Sequence, residues 1–371
     1  MSFVINFVFL PFRKYLSKAL MISSIHIEGF KSIREMTLPL RPINILIGAN
    51  GAGKSNFISF FKLLNNLYEK RLENYSLRKG VENLLYFGSK TTQHIYFKIT
   101  FSDINAYECQ LSPSAKGTLF VDYENVFNGK QTHLSINSRE SALKDHQEGV
   151  AQRISAYMRT FKNYHFHDTS ENAPLRKPSL LSDNLSLRED GGNLPSFLYY
   201  LQEKYPSCFS QIEAVIRMVA PYFERFNLYP DRFNDSMIKL EWLAEQHPDI
   251  PFNSTHLSDG TLRFMALSTL LMQPFLPEVI IIDEPELGLH PFAINVLAGL
   301  IRKASAKSQV IISTQSVPLV SNFEVADIIT VDRKDNQSVF NNLDTAELSH
   351  WIEDFSLGEL WEKSIINGQP Y

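Results

Sequence analysis

A glycine-rich loop between a short apolar strand and a long apolar helix constrains the fold of this chain more than any other feature. Residues 43–47 read I-N-I-L-I, residues 48–55 read G-A-N-G-A-G-K-S, and apolar side chains recur at helical spacing from 56 to 67. The loop matches the pattern G-x-x-x-x-G-K-S in full and stands between a predicted strand and a predicted helix. The sequence therefore predicts an α/β fold that holds an anion at the N-terminus of this helix.

The residue types of this loop suit the phosphates of a nucleotide. Glycine lets the backbone turn its N–H groups towards an anion, and the dipole of the following helix favours negative charge there. Lys54 is expected to reach the β- and γ-phosphates of ATP, and the Ser55 hydroxyl to bind Mg²⁺. The alternative is a glycine-rich turn with an unrelated lysine. The predicted cofactor-binding residues of the loop are Gly48, Asn50, Gly51, Ala52, Gly53, Lys54, Ser55 and Asn56.

A second candidate element is an apolar strand that ends in two carboxylates. Residues 279–282 read V-I-I-I and are followed directly by Asp283 and Glu284. Because ligands bind at the carboxyl ends of strands in open α/β sheets, both side chains are expected to face the nucleotide. Asp283 is suited to orient Mg²⁺ through its water shell, and Glu284 to polarise the attacking water as general base. A strand end followed by a solvated turn is the simpler alternative.

A short motif ahead of a long apolar helix offers a second anion site. Ser258, Asp259 and Gly260 supply a hydroxyl and an unobstructed backbone at the predicted N-terminus of this helix. Two such sites on one subunit would face different directions, so an isologous dimer that shares each nucleotide is the natural arrangement. The alternative is that Ser258 or Asp259 only caps the helix.

Together these motifs resemble those of a known family. L-S-D-G at 257–260 resembles the ABC signature, and D-E-P at 283–285 resembles Walker B with its catalytic glutamate. E-L-G-L-H-P at 286–291 resembles the D-loop region of RecF- and SMC-type ATPases. The opening I-H-I-E-G-F-K-S-I is similar to the start of those heads, where Lys31 and Ser32 would lie beside the nucleotide.

The resemblance extends to compact bacterial RecF-like ATPases and covers nearly everything after Met21. It implies an ABC-type P-loop head with a mainly parallel core sheet, an antiparallel β subdomain and an inserted helical lobe. It also implies ATP and Mg²⁺ as cofactors, and a homodimer or higher homo-oligomer with ATP at the interface. Such proteins often accompany phage-defence or toxin-like modules, in which the ATPase works with a separately encoded effector; DNA is the other partner that it suggests.

Two positions depart from the family pattern. Gln315 stands where ABC ATPases usually carry the switch histidine. Glutamine can hydrogen-bond a γ-phosphate or a water but cannot carry a proton as imidazole does, so slow hydrolysis is expected. The predicted catalytic residues are therefore Glu284, Lys54 and Gln315. No residue matches the Q-loop glutamine convincingly, and Gln93 is the nearest candidate.

Strand and helix patterns divide the chain into four parts. Residues 1–20 are expected to form an N-terminal extension, or to precede a start at Met21. Their positive charges follow the apolar run, which is not the order of a secretory signal. Residues 21–136 and 236–371 are assigned to the ATPase core, and residues 137–235 to a helical lobe. The predicted strands of the antiparallel subdomain lie near 94–101, 106–111, 118–123 and 133–136, and the predicted helices of the lobe at 140–161, 194–204 and 209–223.

Composition limits the partners and the location of the chain. The formal net charge of −4 provides no global basic field for nucleic acid, so DNA binding requires a local patch. The two cysteines, Cys109 and Cys208, are far apart and favour a reducing compartment. No run of apolar residues in the sequence is long enough to span a bilayer. We therefore expect a cytoplasmic protein without a membrane partner.

Two polar clusters have simpler explanations than a functional one. His165 and His167, next to Asp168, would share one face of a strand. Without a third ligand at a recognised spacing, a zinc site is the weaker interpretation. A basic surface made by Arg176 and nearby Lys177 and Arg188 would suit DNA or an effector, but neighbouring acidic residues favour a solvated loop.

These inferences combine into an ATP-driven switch. Two chains would close around two nucleotides, hydrolysis by Glu284 would reopen them, and the helical lobe would act on DNA or an effector, in phage defence or DNA repair. The stretch after Asp283 leaves no room for an appended nuclease domain, so no nuclease activity is expected of this chain. The alternatives are an ATP-bound regulatory scaffold with little turnover that cages a toxin or nuclease partner, and the nucleotide-binding subunit of a transporter.

Overall fold

Short apolar strands build the sheet that carries the glycine-rich loop. In the computed structural model, which describes residues 20–101 and 104–368, the strand that precedes the loop and two further strands of its sheet are buried almost throughout. Residues 1–19, which make up nearly all of the predicted N-terminal extension, lie outside the described residues. The strands of the described residues are β1 (Ile22–Phe30), β2 (Ile33–Pro39), β3 (Ile43–Ile47), β4 (Ile95–Phe101), β5 (Asn105–Pro113), β6 (Leu119–Asn128), β7 (Gln131–Ser138), β8 (Lys162–Tyr164), β9 (Ser179–Leu180), β10 (Phe223–Phe226), β11 (Pro230–Asp231), β12 (Asn234–Ile238), β13 (Glu241–Ala244), β14 (His247–Asn253), β15 (Val279–Asp283), β16 (Gln309–Ser313), β17 (Ile328–Lys334) and β18 (Gln337–Asn342).

Helices cover the faces of the sheets. Within the described part of the chain, none of them combines the length and the apolar character that crossing a membrane requires. The α-helices are α1 (Lys54–Tyr68), α2 (Leu72–Lys79), α3 (Val81–Leu84), α4 (Gly149–Met158), α5 (Leu194–Lys204), α6 (Pro206–Val219), α7 (Asp259–Met272), α8 (Pro291–Ser305), α9 (Val317–Val320), α10 (Thr345–Leu348) and α11 (Leu357–Glu362).

The core sheet has the strand order β18-β17-β3-β16-β15-β8. All neighbouring pairs from β17 to β8 are parallel, and β18 pairs antiparallel with β17. The predicted mainly parallel core sheet is therefore confirmed. Register places Asp283 beside Ser313, and Ser313 beside Leu46, so the carboxyl ends of β15, β16 and β3 lie side by side at one edge. Ligands of open α/β sheets bind at this edge.

An antiparallel sheet in the order β2-β1-β4-β5-β6-β7 forms the predicted β subdomain. Along β4, buried side chains alternate with partly exposed ones, as expected for a sheet with one covered face. Helix α1 lies between this sheet and the core sheet. The Phe60 ring of α1 meets the Phe97 ring of β4 at 5.3 Å between centroids, and the opposite side of α1 packs on the core sheet near Ile281 and Ile311. This sandwich fixes the helix that begins at the glycine-rich loop.

The lobe assigned to residues 137–235 is helical in part. Helix α5 coincides with the predicted helix at 194–204, and α6 begins three residues before the predicted start at 209. The predicted helix at 140–161 is shorter, since α4 begins only at Gly149, whose φ of +63° is left-handed. Strand β8 also lies within this range and pairs with β15 of the core sheet. A strand of three residues is too short to show a period of two in the sequence.

Candidate nucleotide-binding site

The glycine-rich loop wraps around the amine of its own lysine. Lys54 is buried, and its Nζ donates hydrogen bonds to the carbonyl oxygens of Gly48 and, at 3.1 Å, Ala49. Burial lowers the pKa of Lys54, while the carboxylates of Glu284 and other acidic residues at the strand edge raise it. Gly53 has a φ of +126°, and a Cβ at this position would lie 2.0 Å from Ser338 Oγ. Only glycine fits there.

Hydrogen bonds tie the loop to two distant segments. The Asn56 side-chain amide donates to Ser32 Oγ at 2.7 Å, and Ser32 Oγ lies 2.7 Å from Ser338 Oγ. Ser338 in turn donates to the carbonyl oxygen of Ala52. The structure thus brings the predicted residues Ser32 and Asn56 together, with Lys31 directly before them in the same turn. Ser338 was not predicted, because nothing in the sequence near β18 marks it.

Three predicted residues from three separate segments meet at the carboxyl edge of the core sheet. The Gln315 side-chain amide donates to Asn50 Oδ1 at 2.7 Å and to Glu284 Oε1 at 3.0 Å. The backbone N–H of Glu284 donates to the carbonyl oxygen of Ser313 at 2.8 Å, and its φ is +43°. A non-glycine residue with positive φ is uncommon, and such strain concentrates at functional sites. Gln315 therefore links the phosphate loop to the candidate general base.

A second buried carboxylate supports this arrangement. Glu286 Oε1 accepts hydrogen bonds from the Thr314 hydroxyl at 2.6 Å and from the backbone N–H of Gln315 at 3.3 Å. Burial raises the pKa of Glu286, and its Oε2 has no hydrogen-bond partner within the described residues. Since both bonds hold the segment that carries Gln315, Glu286 is a positioning residue. The sequence showed it only as part of the D-loop-like segment.

The signature-like segment lies at the start of α7, as expected. Ser258 Oγ accepts the backbone N–H of Thr261 at 3.1 Å, so Ser258 caps the helix. A Cβ on Gly260 would lie 2.3 Å from the carbonyl oxygen of Gly288, which places the segment against the D-loop of the same chain. No hydrogen bond among the described residues joins Ser258, Asp259 or Gly260 to the phosphate loop. The capping role is present, and the predicted contact with a partner's nucleotide stays a prediction.

Two buried arginines hold the signature-like segment in place. The Arg176 side chain is 7% exposed and donates to the carbonyl oxygens of Thr169 at 2.7 Å and Leu257 at 3.2 Å, and pairs with Asp259 at 2.8 Å. Arg176 therefore belongs neither to a basic surface nor to a solvated loop. Arg263 of α7 donates to the carbonyl oxygens of residues 166 and 167 at 2.9 and 3.0 Å. Both arginines connect α7 to the segment that follows β8.

Strand β8 leads directly to the candidate site. Tyr164 pairs with Ile282 in parallel register, so the chain beyond Tyr164 leaves the sheet beside Asp283. Burial lowers the pKa of His167, and the nearby carboxylates of Asp283 and Glu284 raise it. Gln93, the nearest Q-loop candidate from the sequence, instead precedes β4 of the antiparallel sheet. His167 thus follows β8 at the same sheet edge, within reach of the Asp283 and Glu284 charges.

The chemistry of the donors at this edge fits ATP and Mg²⁺. Ser55 is exposed at the first turn of α1, and a side chain at Gly51 would meet no atom within 4 Å, so the mouth of the loop is open. The backbone N–H groups of the loop, at the N-terminus of α1, and the Lys54 amine suit phosphate oxygens. The Ser55 hydroxyl and the Asp283 carboxylate are oxygen ligands of the kind that Mg²⁺ prefers.

Comparison with curated proteins identifies relatives of known type. Residues 43–322 match the family described as "AAA domain, putative AbiEii toxin, Type IV TA system". The chain is 24% identical to an OLD nuclease of Thermus scotoductus, with 91% of this chain and 68% of that protein covered. It is 22% identical to the Old nuclease of Escherichia phage P2, with 86% and 60% covered. The chain thus spans about two thirds of the length of these relatives.

Solved structures share the fold. An SMC head bound to the C-terminal winged-helix domain of ScpA superposes with a TM-score of 0.61 at 19% identity, covering 88% of this chain and 99% of that one. A Pyrococcus furiosus Smc head with an extended coiled coil, bound to the C-terminal domain of ScpA, gives 0.57 at 15% identity, covering 90% and 99%. Because the family match covers most of the chain and the fold is that of an SMC head, the chain belongs to this AAA-domain family and is a RecF/SMC-like ABC-type ATPase.

Proposed function

We propose that this chain binds and hydrolyses ATP with Mg²⁺ at a site shared by two copies, and that the cycle switches a DNA-bound or effector-bound state. The observation that carries the proposal is the bridge from Gln315 to Asn50 and Glu284. It joins a phosphate-binding loop to a carboxylate within one hydrogen-bonded unit. A loop that only bound an anion, without hydrolysing it, would not require a hydrogen-bonded link to a carboxylate.

Each residue has a defined task in this scheme. The Lys54 amine gives up its hydrogen bonds to two loop carbonyl oxygens and donates to phosphate oxygens instead. The N–H groups of the loop bind the rest of the triphosphate. Ser55 and Asp283 hold Mg²⁺, which neutralises charge that develops on the phosphates. Glu284 accepts a proton from the attacking water, and Gln315 keeps that carboxylate oriented. Ser258 and Gly260 of the partner copy complete the site from the other side.

The decisive experiment compares single-turnover ATP hydrolysis by the wild type and Glu284→Gln. Loss of the general base is expected to lower the rate by about 100-fold or more, because positioned acid–base groups contribute factors of this size. ATP binding, followed with a fluorescent analogue, remains. Glu35→Gln removes an exposed carboxylate on β2 and serves as the matched control. Equal and near-zero rates for wild type and Glu284→Gln would sink the hydrolysis proposal.

That outcome favours the second candidate, an ATP-bound scaffold with little turnover. Its support is the identity of residue 315, since glutamine cannot shuttle a proton as a histidine can. For either candidate, the separately encoded effector that we propose is a nuclease, in phage defence or DNA repair. The support is that the two curated relatives are named as OLD nucleases. Co-purification of a nuclease with Glu284→Gln in the presence of ATP is the corresponding test.

A further inference from the structure

We propose that a groove between α1, α2, the end of α4 and β8 binds the phosphodiester backbone of a nucleic acid. The proposal rests on the proposed function only in naming nucleic acid as a partner, and it does not require hydrolysis. Two adjoining cavities of about 390 and 460 Å³ form the groove. They share Asn65, Arg71, Phe161, Lys162, His165 and Glu189 in their linings, so they are continuous.

The lining of this groove is basic although the chain as a whole is acidic. Seven lysines and arginines line the two cavities against three carboxylates, whereas the net charge of the sequence is −4. The carboxylates are also engaged elsewhere. Glu69 pairs with Lys144 at 2.5 Å, Glu189 accepts the backbone N–H of Asn163 at 2.7 Å, and Asp190 accepts that of residue 192 at 2.9 Å. Because the chain is acidic overall, nucleic-acid binding requires a local basic patch, and the lining of this groove is such a patch.

Most of these cations have no partner of their own. Within the described part of the chain, five exposed side chains of the lining take part in no ion pair and no side-chain hydrogen bond. Of the other two, Arg188 pairs with Asp183 at 2.7 Å, and Lys162 donates to Ser186 Oγ at 2.7 Å. The five unpaired cations are Lys62, Arg71, Arg78, Lys79 and Arg159.

These cations repel one another and extend towards the candidate ATP site. Burial lowers the pKa of Lys31, and the charges of Lys79 and Lys62, two cations of the groove lining, lower it further. Clustered like charges destabilise the free protein unless anions bind to them. A row of phosphates spaced along a backbone relieves this repulsion at several positions at once, as a single small anion cannot.

The floor of the groove indicates what part of a nucleic acid it contacts. Phe61, Tyr75 and Phe161 line it but are 1%, 4% and 2% exposed, so none presents a ring face on which a base can stack. Single-strand binders depend on such exposed rings. Because its phenylalanine and tyrosine rings are covered and His165 is the exposed ring of the described lining, the groove contacts mainly phosphates and sugars, and we expect binding to be independent of sequence.

Fluorescence anisotropy of the full chain with labelled duplex DNA tests the proposal. Two unrelated sequences of equal length, single-stranded DNA and duplex RNA are titrated at several salt concentrations. The test variant is Arg71→Ala/Arg159→Ala, because both residues are exposed and neither borders the Lys31, Ser32 and Asn56 region. The control variant, Lys116→Ala/Lys130→Ala, removes the same charge from exposed turns of the antiparallel sheet.

We expect equal binding of the two duplex sequences. The slope of log K against log salt should fall in magnitude by about 1.8 in the test variant, since each lost phosphate contact contributes about 0.9. The control variant should keep the wild-type slope. Unchanged thermal melting and ATP-analogue binding show that the test variant is folded and that its ATP site is intact. The proposal is overturned if no nucleic acid binds at low salt, or if test and control variants lose affinity equally. The comparison of DNA with RNA identifies which backbone the groove prefers.

Discussion

The Gln315 amide holds Glu284 and Asn50 at once, and this double contact can be tested by changing one side chain. We expect Gln315→Ala to lower kcat about tenfold through loss of a positioning hydrogen bond, with a much smaller change in ATP affinity. Gln315→Glu should be slower still, because a carboxylate there repels Glu284 and the phosphates. Steady-state kinetics with parallel binding measurements check this. An unchanged kcat in both variants would show that Gln315 does not position the base.

Glu286 makes the free energy of folding depend on pH in a direction that follows from its pKa. Its folded-state pKa lies above the ordinary value of 4.5 because the carboxyl group is buried. As pH rises through 4.5, the unfolded chain releases this proton before the folded chain does, so this group makes folding less favourable at higher pH. Glu286→Gln removes the effect and keeps an acceptor for Thr314.

Urea unfolding of wild type and Glu286→Gln at pH 5 and pH 8 measures this contribution. The variant should gain stability relative to the wild type as pH rises. The unfolding free energy of the variant minus that of the wild type should therefore be more positive at pH 8 than at pH 5. Parallel pH profiles for the two proteins would contradict the raised pKa.

Sequence reasoning located the site residues that lie in contiguous motifs. Lys54 ends the glycine-rich loop that follows one buried strand, and Glu284 directly follows another, so their spacing marks them without any tertiary information. Ser338, Glu286 and His167 lie near the site only because the fold brings their segments to it. Ser338 stands alone in its segment, so no local pattern could identify it, and the motifs around Glu286 and His167 did not indicate where these two side chains would lie.

At the scale of elements, the start of α7 depends on one arginine. Arg176 donates to three backbone carbonyls and to Asp259 from a nearly buried position. Arg176→Ala should destabilise the fold by about 2–3 kcal/mol, because charge-assisted bonds are lost and buried carbonyls are left unpaired. Hydrolysis should fall more than ATP binding. Lys177→Ala is the matched control, since Lys177 is exposed and its side chain donates to the exposed Asn172 side chain. Chemical unfolding distinguishes the two variants.

The helix cap and the proposed contact with the partner's nucleotide can be separated at Ser258. Aspartate is as good an N-cap as serine, so Ser258→Asp should leave the melting temperature within about a degree or two. The added charge would face a phosphate across the dimer interface, so ATP-dependent dimerisation should be lost. Light scattering with and without ATP measures it. Dimers formed normally by Ser258→Asp would leave Ser258 with its capping role alone.

Strands with a clear alternation of apolar and polar residues could be predicted from the sequence, whereas very short strands could not. Strands β4 to β7 lie where alternation placed them, because one face of their sheet is buried. The strand predicted around His165 and His167 was wrong in its bounds, because β8 ends at Tyr164, and the pairing of β8 with β15 brings the chain at His167 towards the candidate site. The position of β8 depends on the strand beside it rather than on its own three residues.

At the scale of the whole molecule, the signature-like segment and the phosphate loop lie apart in one chain. A site that combines both therefore requires two chains. Mixing two inactive variants tests this arrangement. Lys54→Ala lacks a competent phosphate loop, and Ser258→Asp lacks a competent signature segment. In a mixed dimer, one composite site carries both defects, and the other combines two intact halves.

An equimolar mixture should therefore recover up to about half of the wild-type hydrolysis, because only mixed dimers can close around ATP and each of them has one intact site out of two. Each parent alone should stay near zero, and the recovered activity should rise with protein concentration as dimers form. A mixture no more active than the sum of its parents would mean that each chain completes its own site. In that case the separation of Ser258 from Lys54 would need a movement of α7 within one chain.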